Sequence, residues 1–516
     1  MPSKSKFELF PEPSLLAPPN PPRLPGINSK TTTTLLDILR ENHAKWHIFY
    51  DDAGRHNHIT HQLIAIWAFG AHQDLLRGSY NKNIPLQRCK PEVTESITSS
   101  NFYDHLGDKT YYSAYLDFFD NVVQEYDGNA ARLLADYIFA ADANFGKTLE
   151  NGQHPQMLCR FLASILHSMI HFGYGVEFGL PGMMSEGKRV CLAQTAIHDI
   201  MMAPLFPDSL FAFVLNEETS VMNKGPPVHA FTVIARILAD PRFKIPGTQF
   251  FETYFPLLNK HGTALLEYAN QWTVDVQRLA SDPTEIDRKI EELQWTNTIL
   301  YAVSGYRKGE EFNADFIYMH LVTSALFLPT LADGLSPTSQ ALLLRTYFVT
   351  SLAWWIINGR PELDIITFMS AEDPTNNNQP HPASTGSQLV THPHALPGFV
   401  STPSSSPNHA AAIAANPNPW LYLIQQATVH PDDHLPKLIR ALMHFALMYG
   451  VRKSSDSETV FGQTELAGAQ MLDGTLFIRA AALTAKRLEN IEADEYIAYW
   501  DRRGFFQDGE KTLNKM

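Results

Sequence analysis

Two histidines stand four residues apart in a mostly apolar stretch, CRFLASILHSMIHFGYGVEFG, at positions 159–179. On a helix, His167 and His171 lie on one face about one turn apart, which is how a helix presents paired imidazoles to a metal. Ordinary surface residues show the same spacing. The apolar residues form a stripe on the opposite side of this helix, away from both histidines and Ser164. Such a polar face meets water or lines a polar cavity, and this helix alone favours exposure to water.

Two further segments place histidines among apolar residues. HNHITHQLIAIWAFGA crowds His56, His58 and His61 around the start of a helix, where local hydrogen bonding explains His56 best. DFIYMHLVTSALFLPTL is apolar all round, as expected of a buried helix, and carries His320 in its middle. A buried imidazole needs partners for both nitrogens. Such a residue is more often hydrogen-bonded in a core than bound to a metal.

A fourth polar pattern occurs in HPDDHLPKLIRALMHFALMYG, at positions 430–450. It predicts a helix that Asp432 or Asp433 caps. The apolar residues form a core stripe, and Lys437 falls on the other side. Periodicity alone therefore interprets Lys437 as an ordinary solvated lysine.

The bulk properties exclude several classes of protein. The 516 residues are 44% hydrophobic and 11% aromatic, so the chain can bury a sizeable core. A formal net charge of -14 argues against binding to nucleic acid or to an anionic membrane surface. Cys89, Cys159 and Cys191 are too few for a disulfide scaffold, and no apolar run has the length of a bilayer span. The N-terminus lacks the apolar core of a secretory signal. These features predict a soluble, cytoplasmic protein.

The order of patterns predicts an all-α fold in one large domain, with helices around a central metal and substrate cavity. Residues 1–30 are rich in proline and predict an extended arm, and residues 31–516 form the helical domain. Residues 372–419 turn to Pro, Asn, Ser and His, which indicates a flexible insertion or lid. The insertion holds four histidines that are best interpreted as solvated: His381, His392, His394 and His409.

Four of these motifs together resemble a known family. NHITHQLIAIWAFGA, LHSMIHFGYGVEFG, HLVTSALFLPTL and HPDDHLPKLIRAL occur in that order between about Tyr50 and Gly450. They resemble the questin oxidase-like family of fungal secondary metabolism. The family typically has a histidine directly after the position that matches His61, whereas this chain has Gln62. Gln62 is therefore not expected to be a ligand.

The resemblance implies opening of the central ring of an anthraquinone, yielding a benzophenone carboxylic acid in polyketide biosynthesis. It also implies a non-heme Fe(II) site that uses O₂ as co-substrate. When the ligands of the family are transferred residue by residue to this chain, the implied metal ligands are His58, His167, His171, His320 and a carboxylated Lys437.

The chemistry of lysine is compatible with that ligand set. An ammonium does not bind a cation, so Lys437 must be neutral or converted by CO₂ to a carbamate with a negative oxygen. Burial and nearby positive charge lower a lysine pKa and favour the neutral amine that reacts with CO₂. His61, His198 and Glu177 stay open as alternative ligands. Glu177 is assigned a catalytic role, orienting a ligand or moving a proton near the iron.

Two other functional classes remain as alternatives. A flavin- and NADPH-dependent Baeyer–Villiger monooxygenase requires G-x-G-x-x-G after a strand, and GYGVEFG has the wrong spacing and follows a helix. A non-catalytic helical binding protein would make every histidine incidental. An oxidised anthraquinone is electron-poor, whereas its hydroquinone can pass an electron to O₂. NADPH is therefore expected to act indirectly, by reducing the substrate through a separate reductase.

Overall fold

The chain is built from α-helices, and the computed structural model describes it in twelve stretches. These are residues 7–14, 20–52, 54–93, 95–146, 148–149, 152, 154–186, 195, 227–245, 250–371, 418–489 and 500–502. The N-terminal helices are α1 (Ser29–Lys45), α2 (Ile59–Ala68), α3 (Gln73–Asn83), α4 (Tyr112–Glu125), α5 (Ala130–Leu134), α6 (Ala141–Phe145), α7 (Met157–Phe178) and α8 (Pro181–Glu186).

The second half of the chain continues the helical pattern. Its central helices are α9 (Ala230–Ala239), α10 (Phe250–Ala269), α11 (Val276–Ser281), α12 (Glu285–Ala302), α13 (Phe316–Ala325), α14 (Leu328–Ala332), α15 (Pro337–Ile357) and α16 (Ile365–Ser370). The C-terminal helices are α17 (Pro419–Val429), α18 (Leu435–Tyr449), α19 (Ser454–Val460) and α20 (Thr475–Leu488). The described stretches contain isolated β-bridges but no strand, which confirms the predicted all-α fold.

Short helical turns of other types join some of these helices. They are the 3-10 turns Ile84–Leu86, Lys109–Tyr111, Pro241–Phe243 and Ala469–Met471 and the π turn Ala135–Phe139. In the part of the chain that the structure covers, none of the helices combines the length and apolar character needed to cross a bilayer.

Four helices pack in a closed ring, and the residues of the candidate functional site come from these helices. α7 packs on α2 and α13, and α18 packs on the same two helices from the other side. α13 is buried along its whole length because its sequence is apolar all round. Asp315 caps it by accepting hydrogen bonds from the backbone N–H groups of Ile317 and Tyr318, both at 2.9 Å. The ring encloses buried polar side chains that all four helices or their first caps contribute.

The helix α7 is interrupted, in contrast to the continuous helix predicted for its stretch. Ser164, Ile165 and Leu166 have φ values of 50°, 57° and 61°, in the left-handed region that non-glycine residues rarely adopt. The interruption re-aims the second half of α7, which starts at His167. Gly173 in this second half has the side chain of Phe327 where a Cβ would lie, so the close approach requires glycine there.

Described residues toward both termini pack onto the helical core. In the N-terminal arm, Phe10 is buried, and the N–H of Leu24 donates to the carbonyl of Ala68 at 2.8 Å. Near the C-terminus, the N–H of Phe316 donates to the carbonyl of Asp501 at 2.8 Å. α1 starts at Ser29, two residues before the predicted boundary. The insertion lies outside the described residues except for positions 418–419, as do its four histidines and His198.

Candidate metal centre

Four histidines from the four packed helices form a ring of imidazoles. His58 immediately precedes α2, His434 immediately precedes α18, His167 begins the second half of α7 and His320 lies in the middle of α13. Going round, the distances between neighbouring ring centroids are 4.9 Å for His58–His167, 4.7 Å for His167–His320, 5.2 Å for His320–His434 and 4.4 Å for His434–His58. All four side chains are buried.

Two of the four rings contact a backbone carbonyl through Nδ1. His167 Nδ1 lies 2.6 Å from the oxygen of Ser164, and His320 Nδ1 lies 2.7 Å from the oxygen of Phe316. A carbonyl only accepts, so Nδ1 carries the proton in both rings and Nε2 carries the lone pair. The interruption of α7 therefore has a local purpose, since it turns the Ser164 carbonyl toward His167.

The other two rings share one carboxylate. Asp433 Oδ2 lies 3.1 Å from His58 Nδ1, and Oδ1 lies 2.5 Å from His434 Nδ1. Burial by itself raises the pKa of Asp433, but the two histidines outweigh it and hold that pKa well below its usual range. The ionised carboxylate accepts a hydrogen bond from His58 Nδ1–H. A lone pair on His434 Nδ1 would be repelled by the carboxylate oxygen 2.5 Å away, so His58 and His434 both keep their lone pairs on Nε2. Histidines that bind metals have this pattern, with the second nitrogen donating to a carboxylate or carbonyl.

The four Nε2 lone pairs create a need for a cation. His58 Nε2 and His167 Nε2 are 2.7 Å apart, and two lone pairs at that distance repel unless a proton or a metal lies between them. Nε2 of His320 and of His434 meets no hydrogen-bond partner within the described stretches. The donor atoms of His58, His167 and His434 all lie within 4.8 Å of one another. The residues present therefore fit a bound metal ion.

The protonation states favour the same conclusion. Burial, followed by the charge of Lys437, lowers the pKa of His58 to about 3. Burial also lowers the pKa values of His167 and His320 well below the usual range. Neutral imidazole is the form that binds a metal, and a shared proton on this set is disfavoured at neutral pH.

Lys437 lies beside the four rings and is only 1% exposed, so its interpretation as a solvated lysine is wrong. Its charge acts on His58, His167 and His320. Burial lowers its pKa to about 8, although Asp433 and Asp432 oppose the shift. Within the described chain, Nζ has no hydrogen-bond partner. Periodicity failed here because the polar side of α18 faces the buried histidines of neighbouring helices rather than water.

His167 and His171 are buried as well, at 4% and 2% exposed, so the exposure favoured by their helix alone is wrong. His171 is nevertheless separate from the ring of four imidazoles. Its Nδ1 lies 2.9 Å from His61 Nε2, and its own Nε2 is unpartnered among the residues described. The ring of His61 also stacks on Tyr174, with centroids 5.3 Å apart. Gln62 accepts a hydrogen bond from Asn83 at 3.1 Å.

Two further side chains, His56 and Glu177, are buried close to these histidines or on the same helix. His56 stacks face to face on His167, with centroids 4.1 Å apart and planes 4° apart, so it supports the ring of His167 from outside. Glu177 forms a buried ion pair with Arg440. Burial raises the pKa of Glu177, while Arg440 opposes that shift.

Sequence reasoning did not select His434. The signal was present, because His434 precedes Lys437 by three residues in HPDDHLPK and so shares its face of the helix start. The family resemblance implies His171, rather than His434, as the fourth histidine ligand. Asp432 does cap this helix start, accepting from the N–H groups of His434 and Leu435 at 2.9 and 3.0 Å.

Fold and site together define an all-helical protein with a buried polyhistidine centre. The chain belongs to the questin oxidase-like family, whose model matches residues 55–442 and confirms the predicted resemblance.

Named relatives come from several fungi. Baeyer-Villiger oxidase ptaJ of Pestalotiopsis fici is 24% identical over 343 residues, which cover 64% of this chain and 70% of that protein. Oxidoreductase AflY of Aspergillus parasiticus is 28% identical over 423 residues, covering 79% and 71%. Questin oxidase of Aspergillus terreus is 24% identical over 422 residues, covering 78% of each chain.

Proposed function

We propose that this protein is an oxidoreductase of fungal secondary metabolism that opens the central ring of an anthraquinone at a non-heme iron site. The substrate is the reduced hydroquinone, and the product is a benzophenone carboxylic acid. The names of the relatives, oxidases and Baeyer-Villiger oxidases, support the reaction class. The observation that carries the proposal is the pair of Nε2 lone pairs on His58 and His167, 2.7 Å apart inside a ring of four buried imidazoles.

The proposed holders of the iron are four histidines and one lysine. They are His58, His167, His320, His434 and Lys437, the last as a carbamate formed with CO₂. Imidazole nitrogen and carboxylate-like oxygen are ligands that suit iron. When bound, the iron supplies the redox chemistry by which O₂ reacts with an electron-rich ring. His171 stays a predicted ligand, and it is tested against His434 below.

The chain's own residues hold this arrangement in place. Asp433 fixes the orientation and the protonation of His58 and His434 through its two oxygens. The carbonyls of Ser164 and Phe316 do the same for His167 and His320. Burial keeps Lys437 partly neutral near pH 8, and the neutral amine is the form that attacks CO₂. The surrounding apolar core excludes water from reactive species.

NADPH acts, in this proposal, on the substrate through a separate reductase. A dinucleotide fold needs a parallel strand followed by a glycine-rich turn and a helix. Over the stretches that the structure covers there is no strand, and GYGVEFG ends α7, with Gly179 in the left-handed conformation. The two electrons that NADPH supplies are already present in a hydroquinone. One O₂ then provides both new oxygen atoms of the ring-opened product.

Isotope labelling with a defined substrate tests the proposal. Purified protein is given chemically pre-reduced anthraquinone and ¹⁸O₂, without NADPH or flavin, and its iron content is measured on the same sample. We expect about one iron per chain and a product that carries label in its new carboxyl group. A requirement for bound flavin and NADPH would establish the monooxygenase alternative instead. If the protein contained neither iron nor flavin and showed no turnover, the remaining interpretation would be a helical binding protein.

A further inference from the structure

A second buried polar cluster lies on α7 and α18, one helical turn beyond the metal centre. Arg440 follows Lys437 by three residues, about 4.5 Å along the helix axis, and is completely buried. It pairs with Glu177, which is on α7. Three more residues complete what we call the Arg440 cluster, which consists of Arg23, Trp67, Glu177, Arg440 and His444.

The two arginines of this cluster share one aromatic ring. The guanidinium of Arg23 lies 5.0 Å from the ring centroid of Phe178, and that of Arg440 lies 5.1 Å from the same centroid. Arg23 also covers the ring of Trp67 at 5.1 Å. It comes from the N-terminal arm, where its Nη2 donates to the carbonyl of Ser14 at 2.7 Å. The arm therefore brings a second positive charge to a place where α7 and α18 supply one ion pair.

Several buried polar atoms of the cluster have no hydrogen-bond partner in the described part of the chain. They are Arg23 Nε, Trp67 Nε1, Arg440 Nε, Arg440 Nη1, Glu177 Oε2 and His444 Nδ1. The first four are N–H donors, and each buried donor without an acceptor costs about 1–3 kcal/mol. Two guanidinium groups face one carboxylate, so the cluster has an excess of positive charge. Donor excess and positive charge together call for an anionic acceptor.

We propose that the Arg440 cluster is an anion subsite that takes the carboxylate of an aryl carboxylic acid. A guanidinium presents a planar fork that matches a carboxylate, and Arg440 keeps Nε and Nη1 for it. Trp67 and Phe178 make the surroundings of these donors aromatic, which suits an aryl group next to that carboxylate. The subsite lies about one helical turn from Lys437 along α18. The identity of the natural ligand rests on the proposed function, whose product is such an acid.

Binding to metal-free protein tests the subsite without any need for turnover. Chelator-treated protein is titrated by calorimetry with 2-benzoylbenzoate and, as the neutral probe, with its methyl ester. We expect the carboxylate to bind at least about tenfold more tightly than the ester, as a charge-assisted hydrogen bond provides. Glu177→Gln removes the competing carboxylate, so it should tighten binding of 2-benzoylbenzoate.

The double variant Glu177→Gln with Arg440→Gln removes both charges of the ion pair, so neither charge is left buried without its partner. This variant should lose the preference for the carboxylate. Arg452→Gln is the matched control, because Arg452 pairs with Glu291 and stacks on Trp295 elsewhere in the fold. It should bind as the wild type does. A purely structural role predicts that Glu177→Gln weakens binding, and that result, or equal affinity for acid and ester, would overturn the subsite. If the double variant loses the preference for the carboxylate but the wild-type protein never binds iron, the subsite is supported and the proposed function is rejected.

Discussion

At the scale of single residues, Asp433 influences several other groups of the metal centre. One carboxylate fixes two of the four imidazoles, His58 and His434, and opposes the fall in pKa that burial imposes on Lys437. A neutral residue at position 433 would free both rings to adopt the other tautomer. The protonation pattern of the metal centre therefore depends on residues that are not themselves proposed ligands, as is common around metal sites.

The ligand assignment is tested by removing one histidine at a time. His434→Ala should lower the iron content strongly, because even changes in groups behind the ligands cost about 10–100-fold in metal affinity. His171→Ala should keep most of the iron if His171 acts through His61, to which it is bonded at 2.9 Å. His444→Ala is the control, since His444 is buried on the same helix but belongs to the Arg440 cluster. Metal analysis and iron spectroscopy provide the readout. Full iron in His434→Ala with none in His171→Ala would support His171, and not His434, as the ligand.

Lys437 is tested through its chemistry with CO₂. Lys437→Ala should abolish turnover, whereas Lys437→Glu should keep a fraction because it places a shorter carboxylate near the iron. Lys437→Arg keeps a positive charge but cannot form the carbamate, so it should be as inactive as the alanine variant. Rates are compared with and without added bicarbonate. An active Lys437→Ala protein, in either condition, would contradict the carbamate.

At the scale of elements, the interruption of α7 stores strain next to the proposed iron. Three consecutive non-glycine residues, Ser164 to Leu166, have positive φ, and each such residue costs about 1–3 kcal/mol. Strain of this kind persists where the surroundings determine the conformation, and here it aims the Ser164 carbonyl at His167. The backbone provides that carbonyl, so the side chain at position 164 is replaceable.

Glycine at position 164 should relieve part of this strain. Ser164→Gly is expected to be more stable than Ser164→Ala by about 1 kcal/mol, because glycine adopts positive φ without steric cost. The order should reverse at Ser168, which lies within the regular second half of α7, where glycine costs roughly 1 kcal/mol relative to alanine. Thermal unfolding of the four variants measures both differences, and iron content should be retained in Ser164→Gly. If the alanine variant were the more stable one at position 164 as well as at position 168, the positive φ values would carry no strain.

The helices also show how much of the structure could be predicted from the sequence. The sequence pattern predicted α2, α13 and α18 and the absence of strands, because burial of apolar side chains decides helix formation. It did not predict the interruption of α7, since apolar residues such as Ile165 and Leu166 keep their place in the pattern whether the backbone continues or turns. Nor could it predict the burial of Lys437, because the pattern separates two sides of a helix without saying what each side meets.

At the scale of the whole molecule, chain segments far apart in sequence support the site. Arg23 comes from the N-terminal arm, and Trp500 donates through Nε1 to Asp432 at 3.1 Å. Arg502 covers the ring of Phe316 at 3.9 Å, and that ring packs on both His320 and His434. Such contacts between distant segments are invisible to local patterns. The four helices that carry the imidazoles could be predicted singly, but their convergence is a property of the complete fold.

The same C-terminal contacts surround a buried carboxyl that should make stability depend on pH. Burial raises the pKa of Asp315 to about 7 from an ordinary value of 3.8, although hydrogen bonds from Tyr318 and Asn358 oppose the shift. Between these values the unfolded chain releases the proton and the folded chain keeps it. The contribution to stability is therefore complete below about pH 4 and is lost as the pH rises through 7, at about 1.4 kcal/mol for each unit of pKa shift.

Asp315→Asn removes this titration while keeping a side-chain oxygen that can cap α13. The melting temperature of the wild type should therefore fall relative to that of Asp315→Asn between pH 5 and pH 8, as measured by calorimetry. Asp364 is the matched control, because it caps α16 at the surface and its hydrogen bonds with Thr367 lower its pKa. It stays ionised across this window, so the profile of Asp364→Asn should run parallel to that of the wild type. Parallel profiles for Asp315→Asn as well would mean that this carboxyl is already ionised in the folded protein at pH 5, and that the cap of α13 carries a buried charge.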